Sequence, residues 1–566
     1  MLDDIIIVGG DALALSAAHE LCLIPGQRVI VLWPGDPEFA AAVKAVGARF
    51  VAGRPDSRDG LEAAGVMSAV SILALSQNEQ LNLQAALRAR DANPRIRIVL
   101  RQFSRTLAPK IEQNLPDCSV LSLAWHSAAT YAAAALDPSC LHGLQFPEPD
   151  GPLTGFAVRL AQTAAIAGMS VAEGEAALGA RIVAVDGAAG LDPDEPIPPA
   201  AQLIVYGPIA NLLASAPRQP IPAVRPSPFS RLRSAARRLR RRLRRSDPYI
   251  TRFAMAAVVL FALATWHFRA SFHSTWLLAA YFVLSTMTTV GYGDVTPHHT
   301  PGDMLAAMAL MLLGVVFTGV FIAILTAHLT RAQWVRMQGL RPIRRHGHIV
   351  VCGCGSIGSG VIDLLLAFDK PLVVVEQSPD TALVERAQEE GFDLLTGDAS
   401  RDDALDLCNL GAAHSLVALT NGDTLNLEIA LGARARNPDM PIVLRIAEAA
   451  FASSIATHFQ LGTTFSVAAL AGPVFAGLSR LPGARGRIAF AGEEFAIGEV
   501  VLHDDTAAVL PRAAIPLAIA DADGGCRLVR DFAGLPPGSR ALILMPITLF
   551  RGGRESLAAA VAHVVG

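Results

Sequence analysis

Thr286-Met287-Thr288-Thr289-Val290-Gly291-Tyr292-Gly293-Asp294 is the stretch on which the reading of this chain turns. It follows an apolar run, Thr275 to Met287, that predicts a short re-entrant helix. Long apolar stretches stand on either side, Ile250 to Phe268 and Met304 to Leu329, and each predicts a membrane-spanning helix. Irregular backbone at membrane depth is tolerated only where protein buries it or where it lines a pore. A dehydrated cation needs oxygens to replace its water shell. Backbone carbonyls supply them when successive residues alternate in handedness, which glycine allows at little steric cost. Gly291 and Gly293 are placed to take those angles. Thr289 can add a hydroxyl at the inner end, while Val290 and Tyr292 face outward as a packed cuff. One strand cannot encircle an ion, so four copies, a homotetramer, are expected.

T-V-G-Y-G is a known signature of K⁺ filters, so this assignment rests on a recognised motif as well as on the backbone argument. The bland alternative, an ordinary outer loop, leaves the flanking spans and re-entrant run unexplained. K⁺ is then the expected permeant ion, held at Thr289, Val290, Gly291 and Tyr292. Basic residues crowd the far ends of both spans. Arg231 to Arg245 holds nine arginines, and Arg331, Arg336, Arg341, Arg344 and Arg345 follow the second span. Their distribution places both flanks, and hence both termini, in the cytoplasm of a multi-pass cell-membrane protein. The arginine run is also placed to touch anionic lipid headgroups of the bilayer. No arginine-bearing voltage-sensor helix is seen in the sequence, so steep voltage gating is not expected.

The totals fit such a mixture. The chain has 566 residues, more than one core ordinarily holds, and only 17% are charged. Mean hydropathy is +0.41, apolar for a soluble protein and dilute for a purely membrane one. A net charge of −3 argues against nucleic acid as a partner. Seven scattered cysteines show neither a disulfide framework nor a zinc spacing. The start, Met-Leu-Asp-Asp, lacks a basic region before its apolar run, so no signal peptide is expected.

Outside the spans, short β-branched runs alternate with helical stretches, and they do so twice at a constant offset of 344 residues. Gly9 matches Gly353, Asn93-Pro94 matches Asn437-Pro438, and Ile98-Val99-Leu100-Arg101 matches Ile442-Val443-Leu444-Arg445. The chain therefore carries two copies of one α/β domain with a parallel, doubly wound sheet. In the second copy Gly353-Cys354-Gly355-Ser356-Ile357-Gly358 is an intact G-x-G-x-x-G after a strand. Gly353 permits the turn, Gly355 lets a phosphate approach the backbone, and Gly358 allows close packing at the helix start. Glu376, at the end of the next strand, is positioned for ribose hydroxyls. A bare structural turn is the competing reading. In the first copy the matching positions are Gly9, Asp11, Ala14 and Leu32. A carboxylate stands where phosphate should come, so this copy is expected to be a scaffold. A cation held by Asp11 is an alternative without further support.

With these residues in view, 250–330 resembles the pore domain of two-helix potassium channels. The flanking copies resemble domains that regulate potassium conductance, shared with potassium-uptake regulatory subunits. The resemblance adds Asp398, after the third strand, to the nucleotide-site residues Gly353, Gly355, Gly358 and Glu376. It adds Tyr281, Phe282 and Asp294 as filter support, and Gly314 as a gating hinge, with close helix packing an equal alternative. Two departures stand out. One copy precedes the pore, which leaves the arrangement of eight regulatory domains open. Ser285 occupies the position where related channels sometimes carry a Glu against the Asp after the filter.

The expected fold is thus a membrane α-helical two-span pore domain with a re-entrant loop, flanked by two cytoplasmic Rossmann-like domains, each with a small α+β lobe. The expected division is 1–135 and 136–216 for the first copy and its lobe, and 217–248 for a Pro/Arg-rich linker. The pore domain takes 249–332 and a second linker 333–346. The second copy and its lobe take 347–475 and 476–566. The expected function is a potassium channel, not an enzyme, gated by a ligand such as NAD(H), an adenine nucleotide or a divalent cation. A membrane-anchored NAD-dependent oxidoreductase and a non-conducting regulatory subunit are the alternatives.

Overall fold

A computed structural model describes residues 3–102, 107–147, 151–159, 163–215, 248–297, 300–337, 342–461, 463–480, 483–490, 493–502, 514–520, 525–532 and 535–547. The Pro/Arg-rich segment and His298-His299 lie outside the described residues. The chain divides into two units: 1–217 with 340–566, and 218–339.

The first unit contains both repeats. In the first, six strands lie in the order Arg49–Ala52, Gln27–Trp33, Asp3–Val8, Ala69–Ala74, Arg97–Arg101 and Cys118–Leu121. In the second, the order is Asp393–Thr396, Leu372–Glu376, Ile349–Cys352, Ser415–Ala418, Ile442–Ile446 and Thr463–Ser466. Every pairing is parallel. Apolar runs such as Ile5-Ile6-Ile7-Val8 are buried because helices cover both faces. The strand order reverses beside the first strand of each sheet, so each glycine turn opens at a switch point where doubly wound sheets bind ligands.

The repeat extends to single hydrogen bonds. Asn82 Nδ2 donates to the Arg101 carbonyl at 3.1 Å, and Asn426 Nδ2 donates to the Arg445 carbonyl at 2.9 Å. Asn93 Nδ2 donates to Val66 O, and Asn437 Nδ2 to Leu410 O. Asn82 and Asn426 tie the start of a helix to the neighbouring strand, and Asn93 and Asn437 tie the end of that helix to the segment before strand Ala69–Ala74 or Ser415–Ala418.

Helix Leu123–Leu136 leaves the first sheet and packs on helix Ser356–Leu366 of the second copy. Helix Val467–Leu478 leaves the second sheet and packs on Ala12–Cys22 of the first. Almost all of Leu123–Leu136 is buried, which its alanine-rich, apolar sequence suits. Tyr131 Oη donates to the Phe465 carbonyl at 3.1 Å, and Ser415 Oγ to the Ala135 carbonyl at 2.7 Å. Each repeat also carries a five-stranded antiparallel sheet, over 140–208 and 484–546. The two sheets share one core, in which Phe156 and Tyr206 of the first meet Phe495 and Leu544 of the second. Arg530 Nη2 on Glu175 Oε2 at 2.7 Å and Arg487 Nη1 on Glu20 Oε1 at 2.6 Å bridge the copies at the rim.

The second unit holds three described helices, Pro248–Ser271, Trp276–Met287 and Pro301–Met337. Among the described residues one helix, Pro301–Ala323 of the last, is long and apolar enough to cross a membrane. The first helix is 24 residues long but has a shorter apolar stretch, Met255–Ser271. Phe268, Phe282, Val283, Ala307 and Leu310 form a small core among the three.

Candidate functional sites

In the second unit, helix Trp276–Met287 is capped at its start by Thr275, whose Oγ1 accepts from Leu278 N. The chain then leaves the helix through Thr288 into the T-V-G-Y-G stretch. Thr289, Gly291 and Gly293 have φ of 63°, 49° and 75°. Left-handed backbone therefore falls at alternate residues, as a row of carbonyls turned to one side demands. The two glycines were foreseen; Thr289 also adopts the left-handed region, which costs a β-branched residue energy. The carbonyl of Ser285 receives both Val290 N at 2.9 Å and Gly291 N at 3.0 Å, tying the strand to the helix. In a single chain Val290 and Tyr292 are 54% and 72% exposed.

Tyr281 and Asp294 meet: the phenol Oη donates to Asp294 Oδ2 at 2.9 Å, and the Tyr281 ring stacks on Tyr292 with centroids 6.3 Å apart. The carboxylate therefore has a phenol partner one helical turn before Ser285, which motif comparison had singled out for its missing acid. Phe282 turns the other way and packs against Phe268 and Phe272 at 4.8 and 5.2 Å. Helix Pro301–Met337 continues unbroken through Gly314. A Cβ at Gly314 would fall 2.8 Å from both Cα and O of Met287, so this glycine lets the long helix close on the end of the short one.

In the first unit, the second copy has a cleft of about 610 Å³ over its glycine turn. Gly353, Gly355, Glu376 and Asp398 all line it. Gly353 has φ 95°, and a Cβ at Gly358 would fall 2.1 Å from the Gly353 carbonyl. Both positions therefore require glycine. Gly355 caps helix Ser356–Leu366 without a side chain, and nothing lies within 4 Å of its absent Cβ. The helix start thus faces open space with free backbone N–H groups and no acid in its first turn. Glu376 Oε2 accepts from Cys354 N at 2.7 Å, which aims the carboxylate across the turn. Asp398 Oδ1 is engaged by Ser400, through N at 3.0 Å and Oγ at 2.8 Å. Burial, and then the Glu376 charge, push the Cys354 thiol up to about 11. Arg386, which sequence reasoning missed, also lines the cleft, held by Asp363, Glu390 and Ser359. No local motif marks it, because its helix joins the cleft only through the fold.

The first copy closes the equivalent space. Asp11 caps helix Ala12–Cys22, its Oδ1 accepting from Ala14 N at 3.1 Å. Its Oδ2 receives Arg101 Nη1 at 2.8 Å. The Trp33 ring covers the turn: a Cβ on Gly10 would fall 2.1 Å from its indole nitrogen. Among the described residues no group of three His, Cys, Asp or Glu side chains is placed to hold a metal ion.

The TrkA-N domain model matches residues 5–116 and again 349–462, and the Ion channel model matches 253–331. Potassium channel protein 1 of Methanocaldococcus jannaschii is 28% identical over 196 residues, covering 33% of this chain and 56% of that protein. The voltage-gated potassium channel Kch of Escherichia coli is 23% identical over 176 residues, covering 30% of this chain and 42% of Kch. The GsuK channel structure aligns over 99% of this chain and 79% of its own, at 14% identity and a TM-score of 0.49. The chain spans about half the length of the M. jannaschii relative.

Proposed function

We propose that this chain, which carries TrkA-N domains on either side of an ion-channel domain, forms a tetrameric K⁺-selective channel gated by a cytoplasmic ligand. The observation that carries the reading is the filter backbone. Left-handed residues at Thr289, Gly291 and Gly293 alternate with Val290 and Tyr292, directly after a short helix and before a long apolar one. Carbonyls of Thr289, Val290, Gly291 and Tyr292 from four chains would replace the hydration shell of K⁺. Pro248–Ser271 and Pro301–Met337 are the two spans of this reading, with 249–332 as the pore domain. Gly314 packs against the filter helix and is the point about which the inner helix would move. Tyr281 and Asp294 brace the outer end of the filter.

The gating ligand would bind the cleft of the second copy, with NAD(H) or an adenine nucleotide as the fitting class. Gly355 receives phosphate on the turn that Gly353 and Gly358 shape, Glu376 takes ribose hydroxyls, and Asp398 lines the same cleft. Segment 333–346 joins this domain directly to the inner helix, so a ligand that favours one shape of the domain biases the pore. The first copy serves as a scaffold for the second.

The test is K⁺ and Na⁺ flux from liposomes holding the purified protein, with NADH, NAD⁺, ATP and Ca²⁺ added in turn. K⁺-selective flux that disappears in Gly291→Asp, and responds to one addition, is the expected result. Absence of flux from tetrameric protein under every condition would overturn the channel reading, and turnover of NADH would favour an anchored oxidoreductase.

A further inference from the structure

The two copies make a built-in comparison at their ligand clefts. Arg101 and Arg445 end equivalent strands, 344 residues apart. Both guanidinium groups reach equivalent carbonyls through Nη1, Arg101 to Leu75 O at 2.9 Å and Arg445 to Leu419 O at 3.5 Å. The same side chain therefore occupies the same region in each copy. Their remaining contacts differ. Arg101 Nη1 reaches Asp11 Oδ2 at 2.8 Å. Arg445 Nη1 instead donates to Asn421 Oδ1 at 2.8 Å and Thr420 O at 3.0 Å, all uncharged oxygens. Asp11 and Gly355 are equivalent positions, and the space beyond Gly355 is open.

The first copy thus shows that an anion just beyond position 355 falls within reach of an arginine anchored on that carbonyl. Among the described residues no carboxylate pairs with Arg445, which is partly buried beside Thr420 and Asn421, both in the cleft wall. A partly buried guanidinium resting on neutral oxygens is a waiting partner for an anion.

We infer that Arg445 is the phosphate-binding arginine of the second cleft, and that Asp11 supplies the first copy with an internal anion in the place of that phosphate. On ligand binding the Arg445 guanidinium leaves Asn421, keeps its hold on the Leu419 carbonyl and pairs with the phosphate over Gly355. The first copy is held permanently in the arrangement that the second adopts only with ligand. This assignment rests on the reading of the second cleft as a nucleotide site and names the side chain that neutralises the phosphate there.

The experiment measures binding of ADP and of adenosine to the full-length tetramer in detergent, for wild type, Arg445→Gln, Arg445→Lys and Glu376→Gln. Arg445→Gln is expected to weaken ADP at least tenfold while leaving adenosine within twofold. Arg445→Lys, which keeps the charge, should recover part of the loss. Glu376→Gln should weaken both ligands, because both carry the ribose. If Arg445→Gln does not fold, the same pair of ligands on Arg445→Lys decides, with a loss confined to ADP expected. ADP affinity unchanged in the arginine variants, or ADP and adenosine weakened equally, overturns the assignment while the nucleotide reading stands. Wild-type protein that binds neither ligand overturns the nucleotide reading and this assignment together.

Discussion

Gly472 lies so close to Ser16 that an added Cβ would fall 2.2 Å from the serine Oγ. The counterpart of this contact is Gly360 against Ala128, at 3.0 Å from the alanine Cβ. Positions 16 and 360, and positions 128 and 472, are each 344 apart, so one contact is made twice about a local two-fold relationship. The two copies in one chain therefore pair with each other through their crossover helices, and each pairing depends on a residue without a side chain.

Gly472→Leu should separate these helices. Overpacking of this kind costs about 1–3 kcal/mol. A lower unfolding midpoint of the purified protein in denaturant is expected, and an unchanged midpoint would contradict the packing described.

Tyr281→Phe keeps the ring stacked on Tyr292 but removes the hydrogen bond to Asp294. Initial K⁺ flux is expected to persist and then to decay faster than in wild type, because the outer end of the filter loses its tie. The time course of flux from liposomes measures this, and a decay indistinguishable from wild type would assign Tyr281 to packing alone.

Gly314→Val would drive a branched side chain into the backbone of Met287. The long helix must then stand off helix Trp276–Met287, at about 1–3 kcal/mol. A lower thermal midpoint of the purified protein together with reduced K⁺ flux is expected. Full flux and an unchanged midpoint would show that the helices can separate freely here.

Cys354 lies in the glycine turn, and its thiol is pushed up to about 11, first by burial and then by the Glu376 charge. A raised thiol value means that the neutral form persists through neutral pH and the reactive thiolate appears only as pH approaches 11. Alkylation of Cys354 by iodoacetamide, read by peptide mass spectrometry, should be slow at pH 8 and rise about tenfold per pH unit toward that value. Glu376→Gln removes the largest of the charges that raise the thiol and should speed the reaction at a given pH. Fast labelling at pH 8 in wild type would exclude the half-buried, neutral thiol.

Much of the fold was legible because its signals are local. Buried strands announce themselves as β-branched runs, the glycine turn as a fixed spacing, and the repeat as a register held over many positions. The left-handed backbone of the T-V-G-Y-G stretch was legible at Gly291 and Gly293 for the same reason, since glycine takes that conformation at little steric cost whatever surrounds it. Partners far apart in the chain were not legible. Nothing in the neighbourhood of Asp294 points to Tyr281, and nothing near Arg386 places it in the cleft. Gly314 carries two readings, hinge and close packing, and nothing near it in the sequence names Met287 as its neighbour, because a small residue in a helix records only that something comes close.

By itself the sequence determined the two α/β copies, the pore-like segment between them, and the difference between Gly355 and Asp11 at equivalent turns. These follow from backbone sterics and from hydrophobic periodicity, which act over a few residues. The tertiary structure alone decided that the copies embrace each other, that Arg101 turns to Asp11 while Arg445 rests on Asn421, and that Tyr281 holds Asp294. Those outcomes depend on which distant side chains meet once the chain closes into a dense interior, and packing at that density is a property of the whole fold.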